Sequence, residues 1–126
     1  MKNLFLWVLV FGWGALILYL TSIPGLKVSD VEIISFIISS LEHLFFFGVQ
    51  AVLLFFALSA SFPRVNSGLV AVILTSAYGL IDELHQLSVV ERTADPIDWI
   101  LDTLGAIIFV YILKKTIITC QGLRRK

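Results

Sequence analysis

Residues 67–102 read SGLVAVILTSAYGLIDELHQLSVVERTADPIDWILD. An apolar run ends in Asp82-Glu83-Leu84-His85-Gln86, and Arg92, Asp95, Asp98 and Asp102 lead straight into the next one. A charged side chain at the centre of a bilayer costs roughly 3 kcal/mol or more unless it is paired, hydrated or neutralised. Ionisable groups crowded at the ends of hydrocarbon-compatible segments therefore read as a functional site on a membrane protein.

The rest of the chain agrees with the membrane reading. Of the 126 residues, 59% are hydrophobic and 14% charged, and the mean hydropathy is +0.99. Such a chain cannot present a wetted surface as a small soluble domain. Its length accommodates about four spans of roughly 20 residues with short connections, which predicts an all-α fold: a single domain over 1–126, built as a four-helix transmembrane bundle. Nucleic acid is not expected as a partner, because there is no basic patch interleaved with aromatics. Cys120 is the only cysteine, so no internal disulfide can form; a lipidated thiol and an inert one are both compatible with its place beside the membrane.

The spans fall at about residues 4–20, 31–60, 67–87 and 96–118. The first ends at Thr21-Ser22-Ile23-Pro24-Gly25, where Pro and Gly punctuate the chain. It is long for a cleavable leader and no clean small-x-small site follows, so it is expected to stay as an anchor. Residues 31–40 read either as the start of one long tilted second helix or as a separate interfacial piece. Pro96 suits the first turn of helix four, with Asp95 as its N-cap. With both termini inside, Lys2, Arg64, Lys114, Lys115 and the basic tail Arg124-Arg125-Lys126 share the cytoplasmic side, against Lys27 and Arg92 opposite. Retention of Lys and Arg inside predicts this orientation, and it puts all nine acids, from Asp30 to Asp102, towards the outside.

Within that cluster, Asp98 and Asp102 are four apart and project from one helix face, with Gly105 below them where another helix could come close. Two stacked carboxylates repel if both ionise, so either one keeps a proton or a cation, such as Arg92 or a metal, lies between them. On helix three, Asp82, His85 and Gln86 share an edge, while Glu83 points about 100° away and reads more as a solvated outer charge than as a member of the site, though its place beside Asp82 also allows it to belong. His43, in the outer part of helix two, lies at a depth that lets it meet that edge. His residues from two helices with nearby carboxylates suit acid–base chemistry or a metal, with His43, His85 and Asp82 as candidate ligands of a divalent ion. The same groups also suit structural roles, as an ion-pair network stapling helix four to its loop and as interhelical hydrogen bonds. Phe45, Phe46, Phe47, Phe55 and Phe56 are assigned packing and no chemistry. No HExxH, nucleophile elbow or glycine-rich phosphate loop is present.

His43 ahead of a Phe-rich stretch, Asp82-Glu83-x-x-Gln86, Arg92, Asp98 and Gly105 together resemble the VanZ-like membrane proteins, over helices two to four. In that family a His on the second helix, D-E-x-x-Q closing the third, an Arg in the following loop and an Asp then a Gly opening the fourth recur, and Asp102 takes a position that is commonly polar. This chain departs from the pattern at Ser39-Ser40-Leu41-Glu42, where members often carry a basic residue, and at Phe46, where many carry an acid. The resemblance implies a multi-pass protein of a bacterial cytoplasmic membrane, and the founding member is associated with resistance to the glycopeptide teicoplanin. The leading expectation is an outward His/carboxylate/Arg site for membrane lipids or a lipid-linked cell-envelope precursor. In it, Arg92 holds phosphate or carboxylate, Asp82, Glu83 and Asp98 act as base or ligands, His43 moves protons or binds metal, and His85, Gln86 and Asp102 complete the binding residues. Two rivals use the same groups: sequestration of a lipid or the antibiotic without turnover, and a proton-coupled transporter or assembly subunit, which at this size requires a homo-oligomer.

Overall fold

The computed structural model describes residues 2–24 and 31–123. Its elements are α1 (Lys2–Thr21), α2 (Glu32–Ser61), α3 (Ser67–Gln86) and α4 (Pro96–Leu123), with no strand among the described residues. All four helices are long and apolar enough to cross a membrane. Large apolar side chains stand on the outside of each, among them Phe5 and Phe11 on α1, Phe56 on α2, Ile73 on α3 and Ile108 on α4. Water would penalise that surface; lipid accepts it. The protein is a polytopic helical membrane protein. Lys27, Asp30 and the basic tail from Arg124 lie outside the described residues.

Residues 32–40 continue α2 without a break, which answers the alternative left open by the sequence. Neither Gly nor Pro occurs between Val31 and Gly48, and the Ser40 hydroxyl donates back to the Phe36 carbonyl at 2.8 Å, so nothing interrupts the helix. Its 30 residues span about 45 Å at 1.5 Å per residue, more than the roughly 30 Å hydrocarbon core. At the start of α3 the Asn66 side chain accepts the Leu69 N–H at 3.3 Å; at the start of α4 Asp95 Oδ1 accepts the Ile97 N–H at 2.9 Å, ahead of Pro96. Both are N-caps.

The helix α2 packs on all three others; α4 lies on α2 and α3, and α1 leans on α2 with a shorter line of contact to α3. Glycines set the closest approach. A Cβ at Gly105 would collide with the Leu44 carbonyl, and one at Gly48 would come within 2.5 Å of the Phe109 ring. Val10, Leu54, Ala57, Leu58 and Ala71 fill the space between α1, α2 and α3, and Ala51, Ala106 and Val110 that between α2 and α4. The helix α1 is tied to its neighbours by hydrogen bonds to main chain: Asn3 Nδ2 donates to the Ala60 carbonyl at 3.1 Å, Trp13 Nε1 to the Phe46 carbonyl at 2.9 Å and the Tyr78 hydroxyl to the Gly14 carbonyl at 2.6 Å. The end of the bundle where α1 and α3 finish and α4 begins is where the carboxylates gather.

Candidate functional site

The site starts from helix periodicity. Asp98 and Asp102 stand one turn apart on α4 and face His43 on α2. His43 Nδ1 lies 2.8 Å from Asp102 Oδ1, and Nε2 lies 3.7 Å from Asp98 Oδ2. Sequence reading leaves a proton, Arg92 or a metal to relieve the two stacked carboxylates; the structure puts the imidazole between them. An ionised carboxylate only accepts, so Nδ1 donates to Asp102. The ring lies parallel to that of Phe47, with centroids 6.1 Å apart. Asp102 is fully buried and its Oδ2 receives no hydrogen bond from the described residues. That oxygen lies over Gly79, where a Cβ would come within 2.7 Å of it.

The last turn of α3 supplies a second layer. Gln86 Nε2 lies 3.2 Å from Asp82 Oδ2 and 3.2 Å from Glu83 Oε1, donating to the carboxylates three and four residues before it. Glu83 is not a solvated charge. It is 4% exposed, because the connection after α3 doubles back and places the Asp95 N–H 2.8 Å from Glu83 Oε2. Glu91, at φ 61°, lies on that connection, and the next residue closes it, the Arg92 N–H reaching the Val89 carbonyl at 3.2 Å.

The end of α1, which in the sequence reads only as punctuation, completes the arrangement. The Thr21 hydroxyl donates to Asp82 Oδ1 at 2.7 Å, and the Ser22 hydroxyl lies 2.9 Å from His85 Nε2. Arg92 Nε donates to the Ile23 carbonyl at 3.3 Å; among the described residues it forms no ion pair with a carboxylate. Asp82 and His85 are therefore engaged by α1. Of the three metal candidates named from sequence, His43 alone belongs to the group with ligand spacing, in which one ring nitrogen of His43 and one oxygen each of Glu83 and Asp102 lie within 4.8 Å of one another.

Beside His43 a cleft of about 150 Å³ opens between α1 and α2. Its apolar walls are Ile17, Leu20, Phe46 and Phe47; its polar groups are Thr21, Ser39, Glu42, His43 and Arg92. Phe46 and Phe47 are three and four residues after His43, so they share its face, a signal in the sequence that a packing-only assignment of the phenylalanines passes over. The hydroxyls of Thr21 and Ser22 carry no comparable signal: each also meets a carbonyl one turn back on α1, and the carboxylate and imidazole they reach are on another helix.

Residues 5–119 match the family model described as VanZ/LLP1. The chain belongs to the VanZ/LLP1 family. No curated protein and no solved structure matches it. In this VanZ/LLP1 protein the residues that carry the resemblance come from three helices and a loop. His43, Asp82, Glu83, Gln86 and Asp98 converge at one end of the bundle, Arg92 borders the cleft there, and Gly105 allows α4 to approach α2 at Leu44.

Proposed function

We propose that this VanZ/LLP1 protein binds the anionic headgroup of a membrane lipid or lipid-linked envelope precursor in the cleft between α1 and α2. One observation carries the reading: Arg92 and His43 border the same cavity as Ile17, Leu20, Phe46 and Phe47. A guanidinium presents a planar fork of donors that matches phosphate and carboxylate, and the apolar walls suit the first methylenes of an acyl or prenyl chain. In a site between membrane helices, that pairing of charge and hydrocarbon favours an amphiphile over a water-soluble anion. Arg64, Lys114 and Lys115 lie at the opposite end of the helices from the carboxylates, so retention of basic residues inside orients the cleft outwards from a bacterial cytoplasmic membrane, with both termini cytoplasmic. Were the ligand a wall precursor, occupancy would alter glycopeptide susceptibility. The test is the anionic lipid retained by protein purified in mild detergent, counted by native mass spectrometry. Arg92→Gln removes a charge-assisted contact worth about 1.5–3 kcal/mol, so retention falls about tenfold or more; retention equal to that of the unaltered protein would sink the reading.

A second reading, chemical modification of the bound lipid, draws on the His43–Asp102 hydrogen bond at the cleft wall, the arrangement by which a carboxylate orients an imidazole for proton transfer. Lipid extracts of membranes holding the intact protein, compared with Asp82→Asn/Asp98→Asn at equal abundance, would then differ in a lipid or precursor species; identical extracts would leave binding alone.

A further inference from the structure

Beside the cleft, next to His43, the chain gathers four carboxylates that do not line it. Asp82, Glu83 and Asp102 are buried and Asp98 stands beside them. Among the described residues the only cation-capable side chain paired with any of them is His43. Burying several carboxylates against a single imidazole is costly unless a further positive charge joins them. We infer that His43, Glu83 and Asp102 bind a divalent transition-metal ion of the Zn²⁺ or Mn²⁺ type.

Spacing supports the assignment. Ligand–metal bonds of about 2.0–2.3 Å put neighbouring ligand atoms roughly 3–4.5 Å apart, and one atom from each of these three residues lies within 4.8 Å of the others. The second support is separate from the spacing: Asp102 is fully buried and its Oδ2 takes no hydrogen bond from the described residues. It is turned over Gly79, one turn before Glu83 on α3, and so towards the helix that supplies the other carboxylate. The surrounding donors are those a ligand set requires. Gln86 Nε2 and the Asp95 N–H hold the two oxygens of Glu83, and each oxygen keeps a second lone pair for a metal. If Nδ1 of His43 is the ligand, Nε2–H faces Asp98 across 3.7 Å, the carboxylate–histidine–metal order that fixes a ligand ring. Binding displaces the proton that Nδ1 otherwise donates to Asp102. One imidazole with two carboxylates fits Zn²⁺ or Mn²⁺ better than an all-oxygen Ca²⁺ site, and three protein ligands leave positions for water or a ligand oxygen.

The test uses the full-length protein in nanodiscs, stripped with chelator and titrated with Zn²⁺ and, separately, Mn²⁺, with bound metal measured by elemental mass spectrometry. One ion per chain is expected. Uptake at that ratio disappears in Glu83→Gln and in Asp102→Asn, and Asp98→Asn weakens it by about 10–100-fold. Should the ligand variants fail to fold, X-ray absorption on the unaltered protein decides: a shell of nitrogen and oxygen with a single imidazole supports the site, whereas sulfur from Cys120 or two imidazoles overturns it. Stripped, folded protein that takes up no more metal than empty nanodiscs also overturns it, as does Glu83→Gln that still binds one ion. Metal uptake is read without any lipid variable, so loss of headgroup binding with metal retained would sink the proposed function and leave this inference standing.

Discussion

His43 is held from three sides: Asp102 at Nδ1, Asp98 at Nε2 and the face of Phe47. Its removal leaves Asp102 with no donor at either oxygen among the described residues. A buried charge deprived of its partner costs about 3–5 kcal/mol, whereas replacing both members with apolar residues is often neutral or stabilising. His43→Leu is therefore expected to lower the detergent melting temperature further than His43→Leu/Asp102→Leu does; losses that simply add would show the pair to be uncoupled. Much of this residue-level picture is legible beforehand, because α-helical spacing alone puts Asp98 with Asp102 and Asp82 with Gln86 on common faces. The partner of Arg92 is not. It depends on a connection that turns through a left-handed backbone at Glu91, and on carbonyls exposed where α1 ends, neither of which spacing encodes. The burial of Glu83 escapes for the same reason, since the main chain of Asp95 provides it.

The helices themselves were legible almost to their ends, because apolar runs bounded by Pro, Gly and Asn have no alternative in a bilayer. What periodicity does not give is how closely they approach. Gly105 meets the Leu44 carbonyl, while nothing lies within 4 Å of a Cβ at Gly12. Gly105→Leu is expected to cost at least the 1–3 kcal/mol typical of overpacking, since backbone rather than a flexible side chain must yield; Gly12→Leu, on the lipid-facing side of α1, is expected to leave the melting temperature within about a degree or two. Equal effects would mean that α2 and α4 do not meet at Gly105. On the connection, a non-glycine residue at positive φ carries about 1–2 kcal/mol of strain, so Glu91→Gly should stabilise the protein or leave it unchanged despite the entropy glycine adds to the unfolded chain. A clear fall in melting temperature would contradict the left-handed turn.

For the whole molecule, segregation of charge is the feature on which the proposed orientation rests, and it is read from sequence once the spans are drawn. The exposed thiol of Cys120 near the end of α4 gives a direct check. In intact cells a membrane-impermeant maleimide should leave Cys120 unlabelled until the membrane is opened, and should label Cys120→Ser/Thr93→Cys at once; the reverse pattern would turn the bundle over and place the cleft on the cytoplasmic side. What sequence could not supply at this scale is the cleft, because it depends on how α1 is seated, held to α2 through Trp13 and to α3 through Tyr78 and Thr21. The most direct test of the proposed headgroup site is photocrosslinking with an anionic phospholipid carrying its reactive group near the headgroup, followed by peptide mapping. Adducts concentrated on residues 17–21 and 39–47, and lost in Arg92→Gln, are the predicted result; adducts spread evenly over lipid-facing positions such as Leu4, Phe11 and Ile108, unchanged in the variant, would contradict it.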